Sequence, residues 1–286
     1  MNKNNTKKPT NNLISPKKYT KEDKAFLYSD DARGIRLQLD YLKAETKLKE
    51  YNINHTVVVF GSARVTDFDT ALKQLDEIKK RFEADPKSDN LLEQLRTAER
   101  IVEKSHYYEE ARNFGALVGK SGKCPDGTQV TLMTGGGPGI MEAANRGAFE
   151  VGARSIGLNI QLPHEQEPNP YITPELSFQF RYFAIRKLHF MQRAKALVVF
   201  PGGFGTLDEL FDLLTLIQTG KSPAIPVVLV CRSFWNRIVD FDFLYEEGVI
   251  AKKDLDIFTF VETAEEAWET ILKWHKKNKT PLLKKK

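Results

Sequence analysis

Residues 198–210 read Val-Val-Phe-Pro-Gly-Gly-Phe-Gly-Thr-Leu-Asp-Glu-Leu. Gly202, Gly203, Gly205 and Thr206 form a turn between an apolar run and a segment in which Leu207, Leu210, Phe211 and Leu214 recur at helical spacing. Backbone N–H groups at such a junction point outward, and the helix dipole adds partial positive charge. The turn therefore suits an anion, most often a phosphate. Glu209 falls on the first turn of the helix, next to whatever the turn holds. A carboxylate in that place can stabilise developing positive charge or orient and deprotonate a water.

A second glycine turn lies upstream, at Thr134-Gly135-Gly136-Gly137-Pro138-Gly139, followed by Ile140, Met141 and Glu142. Pro138 suits a first helical turn. Glu142 is placed either to contact a ribose or to cap its own helix. A third small-residue turn, Gly61-Ser62-Ala63-Arg64, ends the apolar run His55–Phe60. None of these turns has the G-x-G-x-x-G spacing of a dinucleotide site: the third glycine would fall at Ile140 or at Asp208. No G-x-x-x-x-G-K-[ST] run occurs either, so hydride transfer and ATP hydrolysis lose their main sequence support.

The elements that must carry these turns alternate along the chain. Short apolar, β-branched runs at 55–60, 130–133, 155–160, 196–200, 225–231 and 256–261 predict six strands. Helical patterns at 33–50, 105–120, from 140 through 149, 181–194, after 206, 233–248 and 263–278 separate or flank them. Residues 67–104 are charged and Leu-spaced, and Pro86 divides them into an inserted helical hairpin. Residues 161–179 read as a Pro-rich polar loop, long enough for a lid or rim. This order implies an α/β fold with a doubly wound parallel sheet, Rossmann-like, with helices on both faces. Ligands of such sheets bind beyond the carboxyl ends of the strands, where the three glycine turns converge. We expect residues 1–30 as a mobile tail, 31–278 as one nucleotide-binding domain and 279–286 as a basic tail.

Charge placement narrows the partners. Residues 1–24 hold seven lysines against two acids, and residues 276–286 hold six lysines. These ends exceed the whole net charge of +5, so the body between them is net acidic. That points away from a specific nucleic-acid-binding body. Cys124 and Cys231 lie far apart without metal-type spacing, and they read as reduced thiols of a cytoplasmic protein. His106, His164 and His189 form no metal-type cluster and read as structural or exposed; no metal and no cofactor are expected. No apolar run reaches the length of a membrane span, and the Asn/Lys/Thr-rich start has no apolar signal region.

The element Pro201-Gly202-Gly203-x-Gly205-Thr206-x-x-Glu209, with Arg186-Lys187 upstream and Gly135-Gly136-Gly137-Pro138-Gly139-Ile140-Met141 earlier, resembles the LOG family over roughly residues 55–232. These are cytokinin-activating phosphoribohydrolases and related bacterial nucleotide nucleosidases. The resemblance implies hydrolysis of the N-glycosidic bond of a nucleoside 5′-monophosphate to free base and ribose 5-phosphate. It implies a catalytic pair on Arg186 and Glu209, and a homodimer or higher homo-oligomer. Arg186 is expected to position and polarise, because a guanidinium with a pKa above about 12 is a poor acid. Gly202, Gly203, Gly205, Thr206, Gly135, Gly136, Gly137, Gly139, Gly61, Ser62, Glu142 and Lys187 are the expected binding residues, with Arg181 a further phosphate candidate. Phe183-Ala184 stand where the family commonly has Met-His, which bears on base contacts and base preference. Two other readings compete. One is a non-catalytic nucleotide or molybdenum-cofactor carrier, which shares the fold and similar turns but needs no Arg186–Glu209 pair. The other is a pyridoxal-dependent decarboxylase, for which Lys187 and Lys195, read on a helix, lack a supporting signature.

Overall fold

The computed structural model describes residues 20–161 and 167–284. The first 19 residues of the expected tail, residues 162–166 of the expected rim with His164, and residues 285–286 lie outside the described residues. The chain divides into two compact units, Met1–Leu39 and Asp40–Lys286.

In the first unit, residues 21–28, read as tail, form helix α1 (Lys21–Tyr28). Thr20 and Asp23 cap it reciprocally: Thr20 Oγ1 accepts from the Asp23 N–H at 3.0 Å and the Asp23 carboxylate accepts from the Thr20 N–H at 2.8 Å. Helix α2 (Arg33–Glu50) follows.

The second unit holds a seven-stranded sheet, all parallel. Its strands are β1 (His55–Phe60), β2 (Val130–Thr134), β3 (Ser155–Ile160), β4 (Ser177–Phe180), β5 (Ala194–Val199), β6 (Val227–Val230) and β7 (Phe258–Val261). Their order is β4-β3-β2-β1-β5-β6-β7. The helices are α3 (Phe68–Ala84) and α4 (Asp89–Lys104), α5 (His106–Gly119), α6 (Ile140–Glu150), α7 (Phe183–Gln192), α8 (Phe204–Gln218), α9 (Arg232–Ile238), α10 (Phe241–Glu246) and α11 (Ala264–Lys277).

Burial on both faces explains why the strands are continuous apolar runs. Val57 and Val59 of β1 join one core with Ala196, Val198, Phe114 and Ile140. Val58 and Phe60 join the other with Leu197, Val199, Phe190 and Leu210. The period of two thus survives inside an unbroken apolar run. The fold is the doubly wound α/β sheet expected from the sequence, with α3 and α4 as its helical insert.

Two readings need correction. A seventh strand, β4, occupies the end of the segment read as loop, after a 3-10 turn at Pro174–Leu176. It pairs only with β3 and has four residues, burying Phe178 and Phe180 while Gln179 faces out. So short an edge strand gives little pattern to read. The helix expected over 233–248 is two, because Val239 is extended and the Asp240 side chain accepts from the Phe243 N–H at 3.0 Å to start α10.

The sheet order places the switch point between β1 and β5. After β1 the chain winds through β2 and β3 to β4; after β5 it winds the other way to β7. Helix α7, which precedes β5, is held by residues 40–45, the part of α2 that lies in the second unit. The Asp40 carboxylate accepts from the backbone N–H of Arg181 at 2.7 Å and of Tyr182 at 3.0 Å, fixing the two residues that lead into α7 from a distant part of the chain. At its other end Arg193 donates to both Glu45 oxygens at 2.9 Å and to the Ile53 carbonyl at 2.9 Å. His189 is buried, stacks on Tyr41 and lies 3.2 Å from the Tyr41 carbonyl, a structural role. Asp40→Ala removes the acceptor of two backbone N–H groups just before α7 and is expected to lower unfolding free energy by about 1–2 kcal/mol, read as a lower urea midpoint at unchanged m-value.

Candidate active site

The carboxyl ends of β1 and β5 open into a cleft of about 520 Å³. Its lining brings together Gly61 and Ser62 after β1, Gly203, Gly205, Thr206 and Glu209 after β5, and Arg186 from α7. Phe60, Met141, Phe183 and Phe204 supply apolar surface, and Phe204 is 93 % exposed at the rim.

The turn 201–206 behaves as its composition dictates. The N–H groups of Thr206 and Leu207 return to the Gly203 carbonyl at 3.0 Å, which starts α8. The N–H groups of Gly203, Phe204 and Gly205 have no acceptor among the described residues. A side chain at Gly203 or Gly205 would meet open space, so both backbones face the cleft. This is a helix N-terminus with free donors, the arrangement that attracts an anion.

Arg186 and Glu209 both line this space. Arg186 is 9 % exposed; its Nε donates to the Leu158 carbonyl at 2.8 Å, and its guanidinium lies 5.2 Å from the Phe190 ring centre. Burial pulls its pKa down, and the Glu209 charge opposes that. Glu209 is 3 % exposed, and its Oε2 has no hydrogen-bond partner among the described residues. Burial raises its pKa to about 7, against the pull of Arg186 and Lys187. Among the described residues no ion pair joins Arg186 to Glu209.

The first glycine turn has another part. Gly135, Gly136, Gly137 and Gly139 are buried and do not line the cleft. A methyl on Gly135 would sit 2.6 Å from Arg186 Nη2, so this glycine makes room for the guanidinium. Gly139 has φ +74° and packs against the Ser62 and Ala63 backbone. Residues absent from the sequence reading hold the turn. Asn169 Nδ2 donates to the carbonyls of Gly136 and Gly137 at 3.1 Å and to Asn145 Oδ1 at 3.0 Å, and Thr134 Oγ1 donates to the same Asn145 oxygen at 2.7 Å. No spacing rule links positions this far apart; Asn145 on a helix face packed to the sheet was the one available hint.

The remaining residues lie apart. Gly202 packs over Thr206, where a Cβ would clash, and faces a neighbouring cavity. Glu142 accepts from the Tyr108 hydroxyl at 3.1 Å and does not line the cleft. Lys187 is not among the lining residues but pairs at 2.8 Å with Asp208, which is, and Arg181 is exposed beside Tyr182. Lys195, read on a helix, is in β5 near its amino end. His106 is exposed, with Nδ1 2.7 Å from the Glu103 carbonyl. Both cysteines are free and buried.

At the amino end of the sheet lies a larger depression, about 670 Å³, containing none of the candidate residues. His55, Cys124 and Asp126 stand near it with ligand-type atoms within 4.8 Å of one another. The Asp126 oxygens already accept from Thr128, Asn54 and pair with His55, which stabilises the 124–128 turn.

Comparison with known proteins bears on this geometry. A family model described as "Possible lysine decarboxylase" matches residues 141–271. Cytokinin riboside 5′-monophosphate phosphoribohydrolase LOG3 of Arabidopsis thaliana is 28 % identical over 169 residues, covering 57 % of this chain and 73 % of that protein. The LOG1 protein of the same plant is 29 % identical over 142 residues, covering 48 % and 65 %. Over roughly half its length the chain is thus similar to proteins named LOG. The segment matched by the family model contains Arg186 and Glu209 with the turn between their helices, whereas Gly61, Ser62 and the insert α3–α4 precede it. Among solved structures, the molybdenum cofactor binding protein from the phototrophic bacterium Rippkaea orientalis aligns with a TM-score of 0.41 at 16 % identity, over 76 % of this chain and 93 % of that one. Among the described residues no helix is long and apolar enough to cross a membrane.

The Glu209 shift carries a stability consequence. A carboxyl raised from 4.5 to about 7 costs nothing below its unfolded pKa; its burial penalty grows as pH rises from 4.5 to about 7 and is constant above that. Glu209→Gln is therefore expected to stabilise the fold at pH 8, by up to about 3 kcal/mol, and to leave it unchanged at pH 4 to 4.5. Thermal melts of both proteins at the two pH values check this.

Proposed function

We propose that the protein is a nucleoside 5′-monophosphate phosphoribohydrolase, releasing a free base and ribose 5-phosphate from an AMP-like or cytokinin riboside monophosphate. The observation that carries the reading is the Glu209 carboxyl: buried, with an unpartnered oxygen, in a cleft that a buried Arg186 also lines, and one turn from a helix start with free N–H donors. The relatives' names, cytokinin riboside 5′-monophosphate phosphoribohydrolase, support it.

In this reading the 5′-phosphate sits on the N–H groups of Gly203, Phe204 and Gly205, with the Thr206 side chain and the Gly61–Ser62 turn beside it. The ribose then lies along α8 with C1′ toward Glu209. Cleavage of the C1′–N bond leaves positive charge on the ribose ring, which the ionised Glu209 stabilises. Water adds its oxygen to C1′ and gives up a proton to Glu209; the base leaves with the bonding electron pair and gains a proton. A carboxylate with a pKa near 7 is matched to that task at neutral pH. Arg186, fixed by Leu158 and Gly135, holds phosphate or ribose oxygens and polarises the site without donating a proton. Gly135–Gly139 act through Arg186 and the Ser62 turn. The lysines that pyridoxal chemistry would need line no part of the cleft, which weighs against the decarboxylase description. The reading takes the protein to be a cytoplasmic homodimer.

A base-release assay over AMP, GMP, CMP, UMP and a cytokinin riboside monophosphate is the direct check. At least one substrate is expected to yield equal amounts of base and ribose 5-phosphate; none doing so refutes the assignment. Glu209→Gln is expected to lose about 10³-fold in kcat and Arg186→Lys about 10²-fold. Because Glu209 acts ionised, kcat/KM is expected to rise with pH through about 7 and then level, and this rise is absent in Glu209→Gln.

A further inference from the structure

The cleft does not end at the glycine turn. Ser62 and Arg64 line both it and a second cavity of about 220 Å³, whose other walls are Pro201, Gly202 and the insert helix α4. Gly203 to Thr206 thus face one space and Pro201–Gly202 the other, with the turn as a shared wall. From α4 the residues facing the second cavity are Thr97, Arg100, Ile101 and Lys104, the i, i+3, i+4, i+7 face of that helix.

Three cations meet there. Arg64, Arg100 and Lys104 take part in no ion pair among the described residues; Lys104 Nζ lies 5.9 Å from the Phe234 ring centre. No carboxylate lines this cavity. The groove then continues into a wider depression of about 500 Å³, where Glu103 is the single acid beside Arg100, Lys104 and Arg237. Like charges lining one concavity without a counter-charge raise its affinity for an anion. Two guanidiniums and an ammonium present the donor set that phosphate oxygens accept. The cavity is smaller than the roughly 300 Å³ at which drug-sized ligands begin, so it fits a phosphate and not a second nucleoside.

We propose that Arg64, Arg100 and Lys104 form a second phosphate subsite adjoining the cleft. The groove then takes either a nucleotide bearing two phosphates or a nucleoside monophosphate together with a free phosphate. This rests on the nucleotide reading of the cleft, and it gives the insert α3–α4 a role in substrate selection.

Calorimetric titration of the full-length Glu209→Gln protein, which binds without turnover, tests it. The probes are AMP, ADP, adenosine 3′,5′-bisphosphate, and AMP in the presence of inorganic phosphate. A doubly phosphorylated nucleotide is expected to bind about tenfold tighter than AMP, or phosphate to tighten AMP binding by a similar factor. The first result assigns the second phosphate to the substrate, the second to a free ion. Either gain is expected to vanish in Arg100→Gln/Lys104→Gln and, independently, in Arg64→Gln, with unchanged melting temperatures. Equal affinities throughout, or a gain that survives both variants, overturns the subsite. Pyrophosphate titrated into the wild-type chain reads the subsite even where AMP does not bind: its affinity is expected to fall about tenfold in the same variants, and no fall refutes the proposal apart from any failure of the nucleosidase reading.

Discussion

The peptide of Ser62 joins the three turns on which the site is built. Its N–H donates to the Pro201 carbonyl at 3.0 Å, and its carbonyl accepts from the Ile140 N–H at 3.1 Å. Thus the end of β1 is tied on one side to the turn after β5 and on the other to the start of α6. The bonds form because β1 is the central strand with a neighbour on each side, and because Gly139 lets two backbones approach where a Cβ would overlap the Ser62 carbonyl. Shifting this peptide would move both glycine turns at once.

Around that frame the site concentrates charge out of water. Arg186 and Glu209 come from α7 and α8, the helices that precede and follow β5, so one strand sets the spacing of both. Each is buried more deeply than its charge favours, and neither is neutralised by direct contact with the other. Phe60, Met141 and Phe183 give the cleft its apolar surface, and burial raises Glu209. An anion on the helix start beside Thr206 would complete the balance, pairing with Arg186 while leaving Glu209 to face a cationic centre.

Much of this was legible in the sequence, for reasons that can be named. Buried parallel strands must be short apolar runs, so His55–Phe60 and the run before Pro201 could be read directly. The turn before α8 could be read because helix starts and glycines obey local rules. What failed was non-local. The Asp40 carboxylate reaches across 141 positions to Arg181, and no spacing announces it. Gly135, Gly136 and Gly137 look like a ligand cradle in one dimension, but in three Gly135 and Gly136 leave room for Arg186 and Asn159, and Asn169 bonds the Gly136 and Gly137 carbonyls. Likewise the Glu209 pKa depends on burial, which is a property of packing and not of neighbours in sequence. Strand β4 escaped because four residues with two phenylalanines do not stand out from a polar, proline-rich stretch.

The Asp40 contact also bears on how much of the chain can be dispensed with. The second compact unit begins at that residue, and the acceptor for the two residues just before α7 is its first side chain. Proteolytic trimming that stops before Asp40 leaves the Asp40 bonds, the Tyr41 stack and the Glu45–Arg193 pair in place. Cutting a few residues further removes them in order from the helix that carries Arg186. Asp40 therefore holds the approach to α7 from the first position of the second unit, ahead of any strand.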